Sequence, residues 1–124
     1  MKNYETEVRE RYGTTAAYRE YEQKTRNYTK EKWAEATDSM MAIFAEFSAY
    51  KDSGATAESA EVQALVAKLQ AHITENYYTC TDEILAGLGK MYVADERFKK
   101  NIDKYSDGTA EFAADAIAAY TKKI

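Results

Sequence analysis

Few side chains in this sequence can do acid–base or covalent chemistry. His72 is the only histidine and Cys80 the only cysteine. His72 falls on a predicted helix with no histidine, cysteine or acid four residues on, so it cannot seed a zinc site. In a helical chain a lone histidine has three uses: a satisfied structural ring, a ligand contact, or an axial haem ligand. Cys80 has no histidine near it in sequence to serve as its base. One cysteine also excludes an intramolecular disulfide and any multi-cysteine metal site. Gly87–Leu88–Gly89 lacks the third glycine of a dinucleotide loop and follows no strand. Close helix packing is the simpler use of both glycines. Asn27–Tyr28–Thr29 has the form of a glycosylation sequon, which matters only after secretion. No catalytic constellation remains, so neither an enzyme nor a bound metal or cofactor is expected.

What the sequence offers instead is soft apolar surface. Trp33, Met40, Met41, Phe44 and Phe47 share one predicted helix. Tyr77, Tyr78 and Cys80 lie at a helix end, and Met91 and Tyr92 on the helix after it. Each is either core or the lining of a cleft, because apolar sites combine aromatics and adaptable methionine with a few polar tips. Five of the eleven tyrosines, Tyr4, Tyr12, Tyr18, Tyr21 and Tyr28, occur in the first 32 residues. Besides Met1 and two alanines, Val8 is the only other apolar residue there. Such a segment forms helices but buries little aliphatic surface, and its hydroxyls need partners or water. It reads as a loosely packed amphipathic pair or as an aromatic lid, least protected over residues 1–28 until a ligand fills the space beneath.

Helices must position these residues. The chain of 124 residues has no proline and only five glycines, which disfavours a sandwich or barrel. Tyr4 to Tyr12 predicts a short helix stopped at Gly13. Thr14 or Thr15 can cap a second, running to about Asn27. Thr29, Ser59 and Thr81 are candidate N-caps for the next three, and Asp95 for a short one. Apolar residues three and four apart predict core helices over about 30–52, 60–77, 82–92 and 109–121. On the last of these Phe112, Ala116, Ala119 and Tyr120 mark the apolar side. The class is all-α, in one domain with 1–28 as a mobile lid and 29–124 as the core. Residues 1–32 carry +2 and residues 33–124 carry −6, with no basic stripe for a phosphate backbone, so direct nucleic-acid contact is not expected. No apolar run suits a membrane span or signal peptide, which points to a soluble cytoplasmic chain.

Taken together, EVRERYG (7–13), AYREYEQKT (17–25), YTKEKW (28–33), YYTCTDEILAGLGKMYVADERF (77–98) and NID (101–103) resemble the TipA-type antibiotic-recognition domain. His72–Ile73, Gly108 and the Phe112–Ile117 run continue the match. That family forms the C-terminal effector part of MerR-family drug-responsive regulators. The resemblance implies a globin-like helical fold without haem, a cleft for bulky hydrophobic antibiotics such as thiopeptides, and N-terminal helices that close over it. By matched position it implies lid residues Tyr12, Tyr18 and Trp33. The implied cleft residues are those around His72, Tyr77, Tyr78, Cys80, Met91 and Tyr92; Phe44, from the aromatic run of the 30–52 helix, is a further candidate contact. Two departures stand out. Members that capture dehydroalanine-bearing antibiotics covalently have a second cysteine seven residues after the first, where this chain has Gly87. The winged helix and coiled coil of a MerR regulator are absent from the sequence, which therefore reads as an effector domain or as a stand-alone antibiotic-sequestering version. A haem protein built around His72 is the remaining alternative.

Overall fold

Hydroxyl and carboxylate side chains open the helices where the sequence places them. The computed structural model describes residues 16–122. They form α1 (Ala16–Thr25), α2 (Lys30–Asp52), α3 (Ala60–Asn76), α4 (Asp82–Ala94), α5 (Glu96–Asp103) and α6 (Thr109–Thr121). No strand occurs among the described residues. Thr29 Oγ1 accepts from the Lys32 amide at 3.1 Å and Thr81 Oγ1 from that of Ile84 at 3.2 Å. Ser59 caps α3 through Val62, and Asp95 caps α5 through Arg97. Each such cap is worth about 1 kcal/mol relative to alanine. α1 stops at Thr25, short of Asn27, and the Tyr28 amide turns back onto the Thr25 carbonyl at 3.0 Å. The expected Tyr4–Tyr12 helix and the Thr14/Thr15 cap lie outside the described residues. α6 has no cap of its own. Gly108 precedes it at φ 87°, a conformation that favours glycine, and Asp103 Oδ1 at the end of α5 accepts from the Ala110 amide at 2.8 Å.

α6 runs through the middle of the core, against α2, α3, α4 and α5, and its contact with α4 is the most extensive. The face it buries is Ala110, Ala113, Ala116 and Ile117. This differs from the apolar side read from the sequence: Phe112 and Tyr120 sit at the rim and Ala119 is only half-buried. A close helix–helix contact selects small residues; the sequence reading, drawn by Phe112 and Tyr120, caught Ala116 but missed Ala110, Ala113 and Ile117. The bulk of the core comes from Phe44, Phe47, Leu69, Ile73, Leu85 and Ile102, all almost fully buried.

Only one of the paired glycines serves packing. A Cβ on Gly89 would lie 3.0 Å from Ile117 Cγ2, whereas one on Gly87 would meet nothing within 4 Å. Gly87→Ala is therefore expected to stabilise the fold by about 0.5–1 kcal/mol, the helix-interior cost of glycine. Gly89→Ala is expected to destabilise it by about 1–3 kcal/mol through overpacking against the fully buried, β-branched Ile117. Urea unfolding of the two variants checks the opposite signs; a shared sign would show that the α4–α6 contact yields.

Candidate ligand cleft

α1, the start of α2 and the end of α3 bring six rings together. Trp33, one turn into α2, lies at the centre. Its centroid is 5.4 Å from Tyr28 in an edge contact, 6.2 Å from Tyr77 in a stacked one and 6.2 Å from Tyr21. Tyr21 also stacks on Tyr77 at 6.5 Å and meets Tyr18 at 5.7 Å, and His72 meets the edge of Tyr77 at 5.9 Å. Beside these rings is a cleft of ≈ 480 Å³ lined by Tyr18, Tyr21, Thr25 and Trp33, with Arg19 and Arg26 among its charged lining residues. α1 supplies most of its wall, with Glu22 and Gln23 beside the two arginines, so the cleft is open and its lining is as polar as it is aromatic.

A polar frame holds the rings. His72 Nε2 donates to the Ala36 carbonyl on α2 at 3.0 Å, which leaves Nδ1 to accept from the Asn76 amide at 3.2 Å. Asn76 also donates to the His72 carbonyl and accepts from Lys32 Nζ at 3.1 Å. Both ring nitrogens are thus engaged by the protein, and His72 works as a tie between α2 and α3. Burial pushes the Tyr77 hydroxyl up from its usual value, against the opposing effect of its hydrogen bond with Thr37. The ring therefore stays neutral and suited to apolar contact. Cys80 is 4% exposed. Burial first, and the Asp82 carboxylate second, push its thiol up to about 11. It is a packed neutral thiol with little nucleophilic character.

The residues singled out from the sequence divide into groups. Tyr18, Trp33, His72 and Tyr77 meet in the ring cluster. Trp33 stands on the core helix α2, and Tyr18 reaches it through Tyr21. Tyr78 and Met91 are half-buried and pack on the core. Phe44 and Tyr92 belong to a separate ring group inside the core, in an edge contact at 5.3 Å, with Phe98 behind Tyr92. Tyr12 lies outside the described residues. No group of three or more metal-ligating side chains occurs among the described residues. Thr37 and Asn76 escaped the sequence reading as partners of the site, and Tyr21 entered it only as one of the N-terminal tyrosines. Two signals were available. Tyr21 follows Tyr18 by three residues on one helix face, and Asn76 occupies the position four after His72, where only a metal ligand was sought.

A family model described as the TipAS antibiotic-recognition domain matches residues 4–120. The chain belongs to this family. It is 42% identical over 116 residues to the HTH-type transcriptional activator TipA of Streptomyces coelicolor, covering 94% of this chain and 46% of that protein. It is 35% identical over 120 residues to the activator mta of Bacillus subtilis, covering 97% of this chain and 46% of that one. The chain thus spans about half the length of these relatives. Among solved structures it matches TipAS of Streptomyces lividans in complex with nosiheptide, from a thiopeptide antibiotic multidrug resistance system. The TM-score is 0.86 at 41% identity, over 96% of this chain and 83% of that chain. The fold is the all-helical one that the sequence implied, and no described helix is long and apolar enough to cross a membrane.

Proposed function

We propose that this domain binds bulky, largely apolar antibiotics of the thiopeptide class reversibly, in the cleft that α1 and Trp33 line beside the ring cluster, with α1 as its movable wall. The stacked set Tyr21–Trp33–Tyr77 carries this reading, because it joins the cover to the body through flat surfaces that a ligand ring can replace. It acts by binding rather than by catalysis. Joined to a winged-helix segment, as in an HTH-type activator, it would serve as the cytoplasmic effector part and leave DNA contact to that segment.

The energetics favour large ligands. α1 has ten residues, too short to hold a helix in water once undocked. Re-forming it costs about 1–2 kcal/mol per residue in backbone entropy, so on the order of 10–20 kcal/mol in all. At about 25 cal/mol per Å² this equals roughly 400–800 Å² of apolar burial, which the ring cluster and the ligand share. Tyrosines and methionines that repack then admit ligands of varied outline.

The test is thermal unfolding with nosiheptide. At a hundredfold excess over Kd the melting temperature is expected to rise by on the order of 10 °C, with no covalent adduct by intact mass. An unchanged melting temperature at saturating antibiotic would overturn the reading.

A further inference from the structure

α3 ends with no basic residue in its last turn, although the carbonyls there need donors. Those donors come from the cover and its connection. Lys24 Nζ on α1 donates to the Thr74 carbonyl at 2.7 Å, and the Tyr28 hydroxyl donates to the Asn76 carbonyl. Beyond the helix end, the Glu20 carboxylate takes both donors of Thr79: the amide at 2.9 Å and the hydroxyl at 2.8 Å. Thr79 lies between Tyr78 and Cys80, and the Cys80 amide is held in turn by Thr74 Oγ1 at 3.1 Å. Thr74 therefore faces both ways, with its carbonyl on the cover and its hydroxyl on the turn.

We infer that α1 completes the C-terminal cap of α3 from outside, and that Glu20 and Lys24 are positioning residues whose docking sets the Tyr77–Cys80 turn in its cleft-forming shape. Cover and turn then form one cooperative unit: opening α1 releases the turn, and a ligand that fixes the turn draws α1 shut. The charge state agrees with this geometry: the Glu20 carboxyl is held below its usual value chiefly by the Thr79 amide and hydroxyl. Lys24, 3.9 Å from Glu20, adds a smaller contribution of the same sign. The effect on ligand retention rests on the proposed antibiotic binding; the effect on the turn does not.

The experiment is residue-resolved amide exchange on the ligand-free chain, comparing wild type with Glu20→Ala, Thr79→Ala, the double variant and Lys24→Met. The readout is the amides of Tyr77, Tyr78 and Cys80. Their hydrogen-bond acceptors are the Ile73 carbonyl and Thr74 Oγ1 rather than Glu20. Exchange there is expected to rise about three- to tenfold in each single variant, and the double variant to be no faster than Glu20→Ala alone. The amides of α4 and α6 should not change. Exchange confined to Thr79, additive single effects, or a uniform rise across the whole domain would each overturn the inference. With nosiheptide, Glu20→Ala is expected to speed dissociation by a similar factor. If the wild type does not bind nosiheptide, the proposed function fails, while the exchange result still decides the cap.

Discussion

Phe44→Ala should cost about 3–5 kcal/mol of folding stability, whereas Trp33→Ala should cost about 1–2 kcal/mol and act mainly on binding. Both side chains are large aromatics on α2, and the sequence marks both as candidate ligand contacts. Their surroundings differ. Phe44 is 2% exposed and packs between Phe47 and Tyr92, so its removal leaves a cavity in the middle of the core. The loss is a large share of the roughly 5–15 kcal/mol that holds a typical domain together. Trp33 is half-buried at the helix start, where its ring neighbours are Tyr21 of α1, Tyr28 and Tyr77. A central aromatic in a binding site typically accounts for about 2 kcal/mol or more, so nosiheptide affinity should fall by about thirtyfold or more. Urea unfolding and equilibrium titration of both variants separate the effects. If Phe44→Ala unfolds at the wild-type midpoint yet fails to bind, Phe44 is a cleft contact and the core assignment is wrong. If Trp33→Ala binds as wild type, the ring cluster is only structural.

This division shows what could be read from the residues. The caps at Thr29, Ser59, Thr81 and Asp95 were legible, because a capping side chain satisfies amides two or three residues away and needs no tertiary information. The 60–77 helix, which buries Val62, Leu65, Val66, Leu69 and Ile73, was legible for the same reason: a burial pattern with helical period is local. The buried face of α6 was not. Three alanines give little contrast with their neighbours, and what selects them is the approach of α4, a long-range fact. Tyr77 and Trp33 were recognised as aromatic surface, but the register that stacks them depends on how α2 meets α3. That meeting is fixed by His72 bridging the two helices to the Ala36 carbonyl, and no spacing rule announces a side chain that bonds a distant backbone oxygen. Glu20 gave no signal at all. A glutamate on a charged helix is ordinarily solvated, and its partner lies 59 residues on.

Gly87→Cys should convert reversible binding into covalent capture. Wild type, incubated with a dehydroalanine-bearing thiopeptide, should show no adduct: the Cys80 thiol is 4% exposed and pushed up to about 11, so almost none of it is thiolate at neutral pH. Position 87 is the opposite case. It is exposed, a side chain there meets nothing within 4 Å, and its backbone has ordinary helical geometry, so cysteine fits without strain. It also lies four residues before Met91 on the same face of α4, beside a residue that the family resemblance places in the cleft. A thiol in that setting titrates near about 8.5, so that on the order of a tenth of it is thiolate at pH of about 7.5. The thiolate sulfur adds to the terminal methylene carbon of dehydroalanine, and the adjacent carbon takes a proton from water. No leaving group departs, so the adduct mass is the sum of protein and antibiotic. Intact-mass analysis of wild type, Gly87→Cys and the double variant Gly87→Cys with Cys80→Ser reads the outcome. An adduct in both proteins that carry the new thiol and none in wild type is expected. An adduct in wild type that vanishes in Cys80→Ser would show that the buried thiol becomes reachable when α1 opens. Reversible binding without any adduct in Gly87→Cys would mean that this face of α4 points away from the bound antibiotic.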